Sequence, residues 1–582
     1  MTEWLGYFST QSTPAGSAVP FISTIPSSSH NYWVTSDSRL SISTTPQVSH
    51  CGNTLLLLAG HVYNHKDIRN SLRFDSWHGD SPAETLVEAF AQRGLSLVLD
   101  LRGAFAFAVY DCRSGQLLLG RDRVGIHPLY LSWHEDGLFF STELSDLIHL
   151  QRFTRSSISQ YLSFGHINHT STFPSPDTVG VFCFPPGCAA RINSSRSHDY
   201  IHYWPPQPRP EWTPLSFSKY LSPPSLLRQQ LDQLIDTQLT LVNHPVCLLD
   251  DDPESHCLAS LINNIKSDSF NCLSLVLPGE FIQQSEISTG QSYLSSHETI
   301  VVTSDAALSV IEDTLVSPNF LSLLDPALFL RLYFASSQAP CSLFSSLGSQ
   351  ELYANNDLCK LYGLPDLFNF LPLSLLSTFL NLSNSTKFPR QYFSSTSCTL
   401  SASVLLAGDP HILPLLDPSL PLPSLPHFNL DQLPNKTSRM SWIGLRGLIE
   451  PLYIPILCST LSASKSTFFA PFLDHIIVEL TLRISEQNKR QYKNLLFAAC
   501  SDLLPTFPFR PSSPRTFSEF HTWMCGPLRT TCLSRLDALQ SSGIFNSDWL
   551  QFQLSSFKSG TFHSTFMWRL VLLGEHYQRL QS

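Results

Sequence analysis

Four carboxylates within five residues are the first candidates for chemistry. Asp250, Asp251, Asp252 and Glu254 follow the apolar segment Pro245–Leu249 and lead through Pro253 to Ser255. Hard divalent cations favour such oxygen-rich clusters. At a strand-to-helix turn the same residues also cap a helix N-terminus and complement its dipole, with no metal needed. Capping is the expectation here. A phosphate cradle is not: it needs glycines that let backbone amides approach the anion. No glycine occurs between Gly187 and Gly279, and the acidic side chains would repel a polyphosphate. The fourteen cysteines are scattered singly without a CxxC pair, which predicts reduced, mostly buried thiols and no zinc site.

The elements that must position this turn read as alternating helix and strand. Leu226 to Leu241 is spaced as an amphipathic helix, Pro245 to Leu249 as a strand, and Asn271 to Pro278 as a parallel one. Upstream the pattern changes. Phe105, Phe107 and Val109 alternate with alanines, Gln116 to Gly120 is a second strand, and Leu129 to Ser141 is a hairpin with Asp136-Gly137 at its tip. Short strands joined by tight turns predict an antiparallel sheet. The stretch from Pro205 to Pro214 is a Pro-rich linker, and residues 409–435 are too Pro-rich for helix.

Charged residues are 14% of the 582-residue chain, against about 25% in typical domains. No uninterrupted apolar run reaches about 18 residues and no leader is visible, so a cytoplasmic protein with no membrane contact is expected. The net charge of −10 gives no reason to expect nucleic acid binding.

The wording of three segments is specific. LRGAFAFAVYD, GRDRVGIHPLYL and GLFFSTELSDLI, in that order, resemble the end of the glutaminase domain of glutamine-dependent asparagine synthetases. The resemblance implies an α+β, Ntn-hydrolase-like αββα sandwich over residues 1–204 and a linker over 205–224. It further implies an α/β ATP-pyrophosphatase-type domain with a central parallel sheet over 225–511. Residues 512–582 fall outside the match and read as a helical, aromatic-rich extension.

Carried over residue by residue, the resemblance places Thr2 on the family's nucleophilic Cys and Arg39 on the Arg that grips the glutamine carboxylate. Gly60, Tyr63 and Asn64 match. Ala59 stands for the oxyanion-hole Asn, His61 for a Glu, and Pro82 for the Asp that holds the substrate amine. Losing one oxyanion donor typically costs about a hundred- to a thousand-fold in rate. In the second domain Ser255, Ser345, Gly348 and Glu351 match ATP-site positions, and the adenylate-stabilising Lys is kept as Lys493. Leu347 and Gln350 replace a Glu and the magnesium-binding Asp. A Lys beside apolar residues also has a plain surface role, with its stem along the apolar surface and its charge in water.

These substitutions predict a family member without glutaminase or ATP-dependent amide-forming activity, and therefore without cofactor, that acts as a binding, regulatory or subunit protein. Two alternatives stay open. One is an amide-forming enzyme of the asparagine synthetase, β-lactam synthetase or peptide cyclase type, which would use ATP and Mg. The other is an Ntn hydrolase using Thr2. A second copy of the chain or a biosynthetic partner protein is the expected contact. The tail aromatics, Phe517 to Trp568, either form that contact or pack the tail onto the second domain.

Overall fold

In the computed structural model the described residues are 3–10, 33–35, 39–167, 180–204, 222–242, 244–250, 252–266, 270–280, 296–337, 341–353, 412, 415–421, 423, 433, 436–485, 487–488, 495–504 and 519–581. They fall into two compact units, Met1–Arg152 with His169–Arg209, and Phe153–Asn168 with Pro210–Ser582. The segment Phe153–Asn168, read from sequence as part of the first domain, thus packs with the second.

The first unit holds two six-stranded sheets. One contains β1 (Leu5–Ser9), β2 (Trp33–Val34), β3 (Leu40–Ile42), β8 (Tyr130–His134), β9 (Gly137–Ser141) and β10 (Phe182–Cys183). The other contains β4 (Gln47–Val48), β5 (Thr54–Val62), β6 (Gly103–Asp111), β7 (Gln116–Arg121), β11 (Cys188–Ile192) and β12 (His198–His202). The pairing is antiparallel throughout. Trp4, Phe8, Leu131 and Phe140 of the first sheet share one buried core with Leu57, Ala106, Tyr110 and Ala190 of the second, so the sheets stack face to face. On the outer face of the second sheet Phe90, from helix α2 (Pro82–Arg93), meets Phe107 at 4.8 Å between ring centroids. Helix α1 (His65–Ser71) packs beside α2. The alternation explains the strand: β6 turns small alanines toward the facing sheet and phenylalanines toward the helices.

Local pattern alone indicated antiparallel strands, and the resemblance two stacked sheets; the described strands form two. The chain leaves the second sheet after β7 and enters the first at β8, with the corner between them at residues 122–129. The β8–β9 turn also differs by one residue, because Gly137 pairs with His134 and leaves Glu135-Asp136 as the loop.

The second unit is built on a five-stranded parallel sheet in the order β15 (His297–Val301), β14 (Asn271–Val276), β13 (Pro245–Leu248), β16 (Ser342–Phe344), β17 (Thr467–Phe469). The order reverses between β13 and β16. In open α/β sheets the crevice at the carboxyl ends of such a pair is the usual ligand site. The tail forms four helices, Glu519–Cys525, Arg529–Gln540, Ser547–Ser559 and Ser564–Gln581. Phe520, Trp523, Phe557, Phe566 and Trp568 are buried within this unit, whereas Phe552 is 63% exposed; Phe517 lies outside the described residues. Trp568 Nε1 donates to Leu323 O at 2.7 Å, and Arg569 Nη1 to Leu162 O and Ser163 O at 2.9 and 2.8 Å. The tail is therefore core of the second unit. Among the described residues no helix is long and apolar enough to cross a membrane.

Candidate functional site

At the point where the sheet order reverses, the carboxyl end of β13 runs into helix α5 (Pro253–Ile265; the helices before it are α3, Arg155–Phe164, and α4, Pro223–Leu239). Local chemistry sets the turn. Pro253 presets the first helical φ, and Asp252 is the N-cap, its Oδ2 accepting from Ser255 N at 3.2 Å. The Ser255 hydroxyl closes the turn from below, accepting from Asp250 N at 3.1 Å and facing Asp252 O at 2.8 Å. Capping is thus what the structure makes of this carboxylate. Asp251 lies outside the described residues.

The second strand end brings Ser345, Ser346 and Gly348. Ser345 Oγ accepts from Leu347 N at 3.2 Å, a local turn bond. Its neighbour Ser346, which sequence reading passed over, reaches across the switch point and donates to Asp252 Oδ2 at 3.1 Å. Gly348 has φ +86°, and a Cβ there would stand 2.2 Å from Leu473 Cδ2, so only glycine fits. Glu351 packs on Gly444, where an added Cβ would stand 2.8 Å from Glu351 Cγ.

Arg331, also unforeseen, comes from the helix Pro326–Ser336. It pairs with Glu280 at 2.5 Å and Asp250 at 3.5 Å and donates to Leu275 O at 2.8 Å, so its charge is already balanced. Burial first, then the Asp250 and Glu254 charges, push the Asp252 carboxyl up to about 7. Burial, with Glu254 behind it, pushes Glu351 up to about 7 as well. The Ser255 amide is held by Asp252, and the neighbouring groups are the acids Asp250 and Glu254. Among the described residues no group of three or more His, Cys, Asp or Glu is placed to hold a metal ion. Lys493 lies outside the described residues.

In the first unit Thr2 also lies outside the described residues. Ala59 faces the core between the sheets and is 1% exposed, so no polar donor points out from that position. Pro82 opens α2 behind the Ser81 cap, and Glu84 folds back to accept from His78 N and Gly79 N at 2.7 and 3.0 Å. Asn64 is a tie between loops, donating to Asp100 O at 2.8 Å and accepting from Arg102 N at 2.9 Å. Arg39 and Gly60 are not brought together. A Cβ on Gly115, in the β6–β7 turn, would stand 2.8 Å from Arg39 Nη1. That turn lies at the Thr54 end of β5, about 20 Å along the strand from Gly60.

Gly60 itself has φ +84°, and a Cβ would strike Ala104 O at 2.2 Å and His127 Cδ2 at 2.4 Å. The glycine makes room for the His127 ring, which no local pattern announces. Burial holds His61 down to about 4, and burial with the neighbouring His61 holds His127 down to about 3. Both rings are neutral at pH 7 and weak as bases. With histidine Cε1 labelled for NMR, these two resonances should stay fixed between about pH 5.5 and 8, while a free ring titrates near 6.5. A midpoint near 6.5 for either would refute this burial.

Residues 31–204 match the model of a glutamine amidotransferase domain. Asparagine synthetase [glutamine-hydrolyzing] 2 of Arabidopsis thaliana is 32% identical over 111 residues, 19% of this chain and 18% of that protein. Asparagine synthetase B [glutamine-hydrolyzing] of Escherichia coli (strain K12) is 35% identical over 97 residues, 16% of this chain and 17% of that protein. The matches thus span less than a fifth of these relatives' length. Among solved structures, glutamine phosphoribosylpyrophosphate amidotransferase from B. subtilis, complexed with ADP and GMP, is similar at 15% identity over 44% of this chain and 56% of that one, with a TM-score of 0.21. The first unit is a glutamine amidotransferase-type domain. Over this part it is similar to asparagine synthetases.

Proposed function

We propose that this chain is an asparagine synthetase relative that neither hydrolyses glutamine nor forms amides with ATP, and that it serves as a binding, regulatory or subunit protein. On this reading the first unit is an Ntn-hydrolase-like αββα sandwich and the second an ATP-pyrophosphatase-type domain, each kept as scaffold. The observation that carries it is the occupied turn at the end of β13: Asp252 accepts from both Ser255 N and Ser346 Oγ, where the family holds phosphate. The first unit adds support, since Ala59 is buried in the core and the site positions Arg39 and Gly60 lie at opposite ends of β5. No cofactor is needed. The contact is a second copy or a biosynthetic partner protein, and the buried tail leaves Phe552 as its exposed apolar ring.

Calorimetry with ATP, with and without magnesium, should give no binding heat, and incubation with glutamine should release no ammonia. Micromolar ATP binding abolished by Lys493→Ala would overturn the reading for the second unit. Covalent labelling of Thr2 by a glutamine-like alkylating analogue would overturn it for the first.

A further inference from the structure

Twelve cysteines among the described residues form no disulfide, and eight of them are buried, as Cys188 and Cys257 are. Two are exposed, Cys51 and Cys112, and the fold places these two on neighbouring turns. Cys51 sits in the turn between β4 and β5, closed by Gly52 N donating to Ser49 O at 2.8 Å. Cys112 opens the turn between β6 and β7. Thr54 pairs with Asp111 at the end of the β5–β6 ladder, and Cys112 N continues it by donating to Asn53 O at 2.8 Å. Asn53 holds the other thiol's backbone too, its Nδ2 donating to Cys51 O at 3.0 Å. Asn53 thus lies one strand spacing, about 5 Å, from Cys112 and two residues along its own turn from Cys51.

We propose that Cys51 and Cys112 form a peroxide-sensitive pair, in which Cys51 is the thiol that is oxidised and Cys112 the one that resolves it. Reactive cysteines are exposed, lie near positive charge or hydrogen-bond donors, and have a second thiol within reach. Cys51 meets the first two, and Cys112 stands on the neighbouring turn. Its Sγ lies 3.4 Å from Ser49 Oγ. The Ser49 hydroxyl, the Asn53 backbone and the Arg113 guanidinium together hold the thiol below its ordinary value. Asp111, the carboxylate of the same turn, is occupied locally by Arg113 N and Ser114 Oγ at 3.0 and 2.7 Å.

The chemistry balances with hydrogen peroxide as oxidant. The Cys51 thiolate attacks one peroxide oxygen, an S–O bond forms as the O–O bond breaks, and hydroxide leaves. Two electrons have passed from sulfur to peroxide. The Cys112 sulfur then attacks the Cys51 sulfenic acid, and the S–S bond forms as the S–O bond breaks. The departing hydroxide takes up the Cys112 proton as water. A disulfide needs Cα atoms about 4.4 to 6.8 Å apart, and formation of the link reads whether the two neighbouring turns come within that span.

Limited hydrogen peroxide on the full chain, followed by alkylation and non-reducing peptide mass mapping, tests this. The wild-type protein should yield a Cys51–Cys112 linked peptide from the monomer, lost on treatment with dithiothreitol. Cys51→Ser should leave Cys112 reduced, and Cys112→Ser should leave a dimedone-trappable sulfenic acid on Cys51. Arg113→Ala should reduce the preference of iodoacetamide for Cys51 over Cys112 at neutral pH, and Ser49→Ala, which removes the larger contribution, should reduce it further. The proposal fails if a wild-type Cys51 sulfenic acid persists, if a buried cysteine oxidises first, or if the link forms only between chains.

Discussion

Replacing Arg121 by Met is expected to unfold the first unit under conditions where the rest of the chain stays folded. The side chain is fully buried. Its Nε donates to His127 O at 2.5 Å, Nη2 to Gly125 O at 2.6 Å and Nη1 to Phe184 O at 2.9 Å. Next in sequence, the Asp122 carboxylate accepts from the amides of Val124, Gly125, Ile126 and His127. These two residues hold the corner by which the chain passes from one sheet to the other. Met fills most of the volume but strands three buried carbonyls, each worth about 1 to 3 kcal/mol when left unsatisfied. A loss of about 4 kcal/mol or more follows, against a total of about 5 to 15 for a typical domain. Urea unfolding followed by hydrogen exchange on β6 and β8 would read it. Arg113→Ala, on an exposed turn, should stay within about 0.5 kcal/mol of wild type. Equal midpoints for both variants would refute the role assigned to the corner.

That corner also marks where sequence reading stops. β6, β7 and the β8–β9 hairpin were legible because alternation and turn residues are local signals. Which strand joins which of the two sheets was not, since it depends on Arg121 meeting Phe184, about sixty positions away in sequence. The motif GRDRVGIHPLYL, which carried the family resemblance, is therefore mostly a scaffold signature. Family likeness in such residues says little about catalysis.

The candidate site divides along the same line. The Asp252 cap was readable from Asp-Pro-Glu-Ser at a strand end. Ser346, Arg331 and Glu280 were not, for each arrives from another element and shows no local pattern. Arg39 and Gly60 both survive as letters, yet side-chain direction and strand register put them at opposite ends of β5. In the tail, periodicity gave helices, but which face is inward rested on partners such as Leu323 and Leu162.

The second unit is expected to be more stable near pH 5.5 than near pH 8. Asp252 and Glu351 have ordinary values of 3.8 and 4.5, and each is pushed up to about 7 in the fold. Between those limits the folded state binds more protons than the unfolded chain, so stability falls as pH rises, levelling off above about 7. Each tenfold difference in proton affinity between folded and unfolded chain corresponds to about 1.4 kcal/mol. Two carboxyls give a ceiling of several kcal/mol, and solvent at the partly exposed Asp252 reduces it to about 2 to 4. Asp325, raised by burial in the same unit, acts in the same direction. His61 and His127 have the opposite sign in the first unit, so a global melt would blur the two. Hydrogen exchange on α5 and on the helix Ser349–Tyr353 keeps them apart. Asp252→Asn retains the cap oxygen and removes the titration, and Glu351→Gln does the same for its neighbour. Together they should flatten most of the slope. Glu254→Gln should also weaken it, because the Glu254 charge pushes up both groups. Protection that rises from pH 5.5 to 8, or that ignores pH in all variants, would mean these carboxylates are solvated and charged. The switch point would then be open to a cation.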